Sequence, residues 1–378
     1  MSGLSKHRLT ELDGLRALAV LLVIWDHTTR IDLGIGGYHG VLLFFVISGF
    51  LITGILLGVR GKAAPVKILR AFVIRRFLRI FPIYYVVLLF AFLLGIEGAR
   101  TSTGWHLAYL SNWFFIFKGG FGGPLSHLWS LSVEEQFYVL WPWFALFLPS
   151  RFLGWSIVLM ISSGPLSRLL ISAAGVNGPS VYIATPTVLD ALGLGCLLAY
   201  VSSRPRLAER VANWALVSGV LLIGLQFMER WIAMPAPLEF AIDRLGWRVV
   251  CVWIVYRAAK GLGNGPVGRF LRFRPLVYIG TISYGIYLIH NFVLPTLWII
   301  ERHYYVHLPV PHRPGVGHFF LVAGLSTAAA SLSWVSLERP LNRLKDRFPY
   351  VPRRRDTDEA SETPDNQQVP ADRISARS

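Results

Sequence analysis

The sequence predicts an all-α, polytopic membrane protein of about ten transmembrane helices with both termini cytoplasmic. Three observations carry that expectation. Of 378 residues, 54% are hydrophobic and 15% charged, where a soluble domain is about a quarter charged. Apolar runs long enough to cross ~30 Å of hydrocarbon recur near 9–29, 38–58, 80–96, 133–149, 152–172, 186–202, 212–229, 246–259, 278–300 and 316–338. With the N-terminus inside, the cytoplasmic segments hold 22 Lys and Arg residues and the opposite segments seven, the bias that orients polytopic proteins.

The first run could pass for a signal peptide, because Ala17 to Trp25 is apolar behind Lys6 and Arg8. Glu11, Asp13 and Arg16 lie between them and argue for a retained span. The segment from Trp105 to Phe117 is apolar, but counting it as a span would send the basic loops around Arg204 and Arg269 outside. Its Trp, Tyr and Asn content fits an interfacial or re-entrant segment. Cys196 and Cys251 both lie in apolar stretches, which excludes a disulfide framework. Glu301, His303, His307 and His312 lack the spacing of a helical metal site, and no metal is expected.

Residues 1–345 are read as one membrane domain and 346–378 as a disordered cytoplasmic tail. From Arg353 onward the chain is polar and cannot bury a core. That tail holds five arginines and six acids, so the net charge of +16 sits on the membrane part. It reflects topology and implies no nucleic-acid partner.

Ionisable residues inside a membrane are costly and mark function. Counting along the helices places His27 near the outer end of the first span and Arg16 about 16 Å below it. The same count puts Glu134 and Glu135, at the start of the fourth span, and Asp190, early in the sixth, at the outer level with His27. Arg75, Arg76 and Arg79 crowd the inner mouth of the third span. Arginine forks suit phosphates, and a neutral imidazole beside a carboxylate suits taking a proton from a hydroxyl. The layout fits a phosphorylated donor entering from the cytoplasm and an acceptor from outside. Each piece also has a plainer reading: hydrogen-bonded packing for His27, topology signals for the arginines, an N-terminal helix acid for Glu134. Arg168 and Arg248 are read as snorkelling or paired helix residues, and His290 is open to either reading.

Seven motifs in order resemble the acyltransferase-3 family of bacterial integral-membrane acyltransferases. They are Leu-Asp-Gly-Leu-Arg-Ala at 12–17 with His27 beyond it, Phe-Phe-Val-Ile-Ser-Gly-Phe-Leu-Ile at 44–52, and Arg-Arg-Phe-Leu-Arg-Ile-Phe-Pro-Ile-Tyr at 75–84. His-Leu-Trp-Ser-Leu-Ser-Val-Glu-Glu-Gln-Phe-Tyr at 127–138 and Asp-Ala-Leu-Gly-Leu-Gly at 190–195 follow. Ser-Tyr-Gly-Ile-Tyr-Leu-Ile-His at 283–290 and Glu-Arg-Pro at 338–340 complete the set. The resemblance covers Glu11 to Pro340 and implies transfer of an acyl group, commonly acetyl, from acyl-coenzyme A. The acceptor would be a hydroxyl of a sugar, polysaccharide, glycolipid or macrolide, and the site the bacterial plasma (inner) membrane.

The resemblance places the family's histidine on His27, as general base, and its glutamate on Glu134, holding the imidazole. Arg16, Arg76 and Arg79 become the donor-binding arginines. Trp129, Ser130, Glu135, Asp190, Tyr284 and His290 stand in the same motifs and are assigned to the acceptor or to support. Acyl-coenzyme A is a co-substrate, and no bound cofactor is implied. Two positions depart from the pattern: Leu42, where many members carry Asp, and Thr187, Val188 and Leu189, where many carry Arg before the Asp190 motif. Some members continue into a soluble esterase-like domain, where this sequence ends in a short tail. The alternative reading is a transporter of a lipid-linked sugar or acyl group, against which stand polar residues gathered at two ends and the absence of repeated halves.

Overall fold

A backbone inside hydrocarbon has no partner but itself, so apolar runs become helices. The computed structural model describes residues 10–120, 122–176, 178–228, 234–308, 310 and 313–351, and among them there is no strand. The long helices are α1 Thr10–Thr28, α2 Gly37–Val59, α3 Pro65–Leu93, α4 Leu128–Phe147, α5 Ser150–Ala173, α6 Thr185–Val201, α7 Pro205–Met228, α8 Leu245–Lys260, α9 Ser283–Tyr304 and α10 Val316–Ser333. Each overlaps one apolar run of the sequence. Seven helical segments are long and apolar enough to cross a membrane. The helices that fall short are α1 and α4, which carry acidic side chains, and α8, which has 16 residues.

Several boundaries move, and two of the shifts reposition charged residues of the site. Helix α3 starts at Pro65, not near 80, because proline suits a first turn and basic side chains do not stop a helix outside hydrocarbon. Arg75, Arg76 and Arg79 therefore sit within one continuous helix. Helix α4 starts at Leu128, not near 133, which carries Glu134 about 9 Å along the axis from its first residue.

The segment read as interfacial or re-entrant forms two short helices, Thr103–Leu107 and Ser111–Lys118, too short to cross hydrocarbon. Between them Tyr109 takes a left-handed φ of 53°. The polar side chains of the second helix are met by α4 and by the start of α6: Ser111 Oγ lies 2.7 Å from Ser132 Oγ, and Asn112 Nδ2 donates to Thr185 Oγ1 at 3.0 Å. Burial lowers the pKa of His106 in the first helix to about 4.

The tail boundary also moves. Residues 344–347 form a 3-10 turn, and Arg75 donates to the carbonyls of Lys345 at 2.6 Å and Phe348 at 3.3 Å, with its guanidinium over the Tyr350 ring. Phe348 and Tyr350, within the stretch expected to be disordered, thus pack on α3. The rest of the tail, with Lys6, Arg8 and His312, lies outside the described residues. Among the described residues no group of three His, Cys, Asp or Glu side chains could hold a metal ion.

Helices α2 and α6 cross at close range, and glycine makes that possible. A Cβ on Gly49 would stand 2.1 Å from Leu192 O, and one on Gly195 2.2 Å from Val46 O. Backbone meets backbone there, the packing that small residues permit between membrane helices.

Beside this crossing Asp190, fully buried, lies between two buried arginines. Arg168 on α5 reaches Oδ2 at 3.0 Å, and Arg248 on α8 reaches Oδ1 at 3.3 Å. Both guanidinium groups also donate to carbonyl oxygens: Arg168 to Thr187 and Ala241, and Arg248 to Asp243. Gly164 gives Asp190 room, since a Cβ there would come within 2.4 Å of the carboxyl carbon. Asp190 is therefore a structural anchor on α5, α6 and α8 and not a companion of His27. Removing it leaves two buried cations, and losing one partner of such a group costs about 3–5 kcal/mol. Asp190→Ala is expected to lower the thermal unfolding midpoint in detergent markedly. A midpoint equal to wild type would show that the triad contributes nothing.

Candidate active site

The described residues place two cavities at different heights along α1 and α9. The first is lined by Arg16 of α1, Ser48 of α2, Arg76 and Arg79 of α3, Ser130, Glu134 and Tyr138 of α4, and Tyr284 and Tyr287 of α9. Arg76 and Arg79 share a face because they are three residues apart on a helix. Arg76 lies over the Phe72 and Tyr138 rings, at 5.5 and 5.7 Å from their centroids. Arg16 Nε is buried and finds no hydrogen-bond partner among the described residues, although its Nη1 is 4.0 Å from Asp13 Oδ1. Three guanidinium groups thus face one cavity beside the carboxylate of Glu134. That set suits a ligand carrying phosphates, since planar forks match phosphate oxygens.

The second cavity is lined by His27 and Thr28 of α1, by Pro124, and by His290, Asn291 and Trp298 of α9. The His27 ring is exposed and His290 is 2% exposed. His27 Nδ1 and His290 Nε2 are 2.9 Å apart, and His290 Nδ1 is 2.5 Å from the Tyr287 carbonyl oxygen one helical turn back.

The wall between the cavities is hydrogen-bonded. Tyr287 Oη lies 2.6 Å from Ser130 Oγ and donates to the His127 carbonyl at 3.0 Å. The His127 ring packs against those of Tyr287, His290 and Phe292. Tyr287 belongs to both sides, since its ring lines the arginine cavity and its carbonyl holds His290.

The structure therefore brings together Arg16, Arg76, Arg79, Glu134, Ser130 and Tyr284 in one cavity, and His27 with His290 in another. It does not bring Glu134 to His27. Glu134 Oε1 accepts from Ser48 Oγ at 2.6 Å, and Ser48 Oγ accepts from Tyr138 at 3.2 Å. The expectation that Glu134 holds the imidazole is corrected: the side chain on His27 Nδ1 is His290. Glu135 is buried but does not line either cavity. Trp129 is a packing residue, stacked on Tyr38 with centroids 5.9 Å apart. Tyr284 donates to the Ile80 carbonyl at 3.3 Å, fixing the side of the arginine cavity.

Ser48, His127, Tyr138 and Tyr287 were not singled out from the sequence. All four stand inside the quoted motifs. The spacing of Tyr287, three residues before His290, was the available signal.

The family described as an acyltransferase domain, acyltransferase-3, matches residues 9–335. The chain is 31% identical to the peptidoglycan O-acetyltransferase OatA of Listeria monocytogenes over 374 residues, covering 90% of this chain and 56% of that protein. It is 30% identical to the O-acetyltransferase OatA of Staphylococcus aureus, covering 93% of this chain and 60% of that protein. The chain thus spans little more than half the length of these curated relatives. No solved structure matches. With the match running through both cavities, the chain belongs to the acyltransferase-3 family.

Proposed function

We propose that this chain moves an acetyl group from acetyl-coenzyme A, bound from the cytoplasm, to a hydroxyl of a peptidoglycan sugar on the far face of the bacterial plasma membrane. One observation carries the proposal: α1 and α9 each serve both cavities, α1 through Arg16 and His27, α9 through Tyr287 and His290. A phosphate-binding end and a proton-accepting end are thereby held at fixed separation on the same two helices. The names of the relatives supply the acetyl group and the glycan, and none of them supports transport.

In this mechanism Arg16, Arg76 and Arg79 bind the phosphates of the donor, and the acyl end extends past Ser130 and Tyr287 toward His27. The acceptor enters the His27 cavity. His27 takes the proton of the acceptor hydroxyl, and the oxygen bonds to the thioester carbonyl carbon. The carbon–sulfur bond then breaks, and the departing thiolate takes the proton from the imidazolium. The products are the acetyl ester and coenzyme A with a free thiol. The step needs neither a metal nor a covalent enzyme intermediate to balance. Glu134, held by Ser48, offsets part of the positive charge of the three arginines in a low-dielectric cavity.

His27→Ala is expected to lower turnover by about 10²–10⁴-fold, the usual contribution of a positioned base. Labelled acetyl-coenzyme A and a peptidoglycan oligosaccharide, with the protein in proteoliposomes, give the measurement. Wild-type turnover in that variant would remove His27 from the mechanism.

Arg76→Ala and Arg79→Ala are expected to raise KM for acetyl-coenzyme A by roughly tenfold or more each, since a charge-assisted contact strengthens binding by ~1.5–3 kcal/mol. Lysine should restore only part of this, because it lacks the fork. Variants that altered KM for the acceptor alone would place the donor elsewhere.

Sidedness follows from the 22-to-seven basic split. In a Cys196→Ser, Cys251→Ser background, an impermeant thiol reagent applied to intact cells should label Arg30→Cys and spare Lys67→Cys until the cells are broken; both positions are exposed. The opposite pattern would put His27 on the cytoplasmic side.

A further inference from the structure

We infer that His290 is a positioning residue that holds His27 in the tautomer with its proton on Nδ1 and its lone pair on Nε2, facing the acceptor cavity. The inference rests on the proposed role of His27 as base and adds what that role requires.

The hydrogen bonds fix the protons in sequence. The Tyr287 carbonyl oxygen, 2.5 Å from His290 Nδ1, can only accept, so Nδ1 carries a hydrogen. His290 is 2% exposed and stands within a membrane helix. A second proton there would place a cation in hydrocarbon beside two other imidazoles, at a cost that leaves the neutral ring favoured. A neutral ring with its hydrogen on Nδ1 has a bare Nε2, which is the atom 2.9 Å from His27 Nδ1. His27 must then donate through Nδ1, and its own lone pair lies on Nε2.

Ring geometry agrees. The two planes are inclined by 17° with centroids 5.1 Å apart. That separation exceeds the nitrogen–nitrogen distance by about the radii of two imidazoles, so the rings meet edge to edge with the donor hydrogen aimed along the lone pair. Two stacked faces would leave the nitrogens without a line between them. In the reverse arrangement, with His290 Nε2 as donor, the lone pair of His27 would be spent on His290 and none would face the acceptor. Holding a base in one tautomer is the service a carboxylate performs in hydrolytic triads. Here a neutral imidazole, itself set by a helix carbonyl, takes that position.

The test separates a tautomer lock from mere packing. His290→Leu removes the acceptor and is expected to lower kcat by about hundredfold, with KM for acetyl-coenzyme A unchanged because the arginines lie elsewhere. His290→Gln keeps a carbonyl near the position of Nε2 and should stay within about tenfold of wild type. His290→Lys, which can only donate, should be as poor as leucine. Leucine at wild-type kcat, or glutamine falling as far as leucine, would overturn the inference.

His27→Ala, run in parallel, keeps the two claims distinct. If it is active, the base itself is wrong; if it is inactive while His290→Leu turns over normally, only the lock is wrong. Nitrogen-15 NMR of histidine-labelled wild-type protein in nanodiscs, with His27 assigned by its loss in His27→Ala, reads the tautomer without relying on variants that fold. Protonated Nδ1 with unprotonated Nε2 is expected, and the reverse would overturn the lock.

Discussion

A polar side chain carried into hydrocarbon must find its partner in the protein, and this constraint shapes three separate groups of ionisable side chains among the described residues. Asp190, Arg168 and Arg248 form one group whose carboxylate and carbonyl partners come from the helices around it. Arg16, Arg76, Arg79 and Glu134 form a second, in which positive charge exceeds negative and a cavity remains. His27 and His290 form the third, which is closed on one side by a helix carbonyl and open on the other. The cavity beside the second group and the open ring edge of the third are what make them candidate sites.

Much of this was legible in the sequence, and the portion that was not has one geometric cause. Counting residues along a helix gives height, so the separation of His27 from Arg16 was readable from 11 intervening steps of ~1.5 Å. Height does not give rotation about the helix axis or the identity of the neighbour. Asp190 was placed near the level of His27, but it faces α5 and α8. Glu134 was placed there too, but α4 begins five residues earlier than its apolar run, and the side chain faces Ser48 of α2. A carboxylate was expected beside the base because carboxylates commonly orient histidines. The partner found, His290, is ambiguous in the sequence, because its spacing to Tyr287 means nothing until α1 and α9 are known to touch.

The departures from the family pattern acquire a physical setting. Leu42 is fully buried in α2, so an acid there would need a buried partner of its own. The stretch Thr187, Val188, Leu189 lacks the arginine many members place before the Asp190 motif. In this chain two arginines from other helices reach Asp190, and the Thr187 carbonyl accepts from one of them. The cations beside this buried carboxylate come from α5 and α8, and a pattern read along one helix does not show them, because charge compensation acts through space.

The separation of the two cavities bears on why such chemistry is done in a membrane at all. Under the proposed function the nucleotide end of the donor stays with the arginines, and only the narrow acyl arm needs to pass Ser130 and Tyr287. The hydroxyls of those two residues bond to each other and to the His127 carbonyl, so the wall they form leaves neither hydroxyl unpaired. The acetyl group would thus cross much of the bilayer while attached to a carrier that does not cross. Activation of the acceptor by a neutral imidazole pair fits the same economy of charge: the base gains a proton only while the thioester is being attacked, and gives it back as the thiolate leaves.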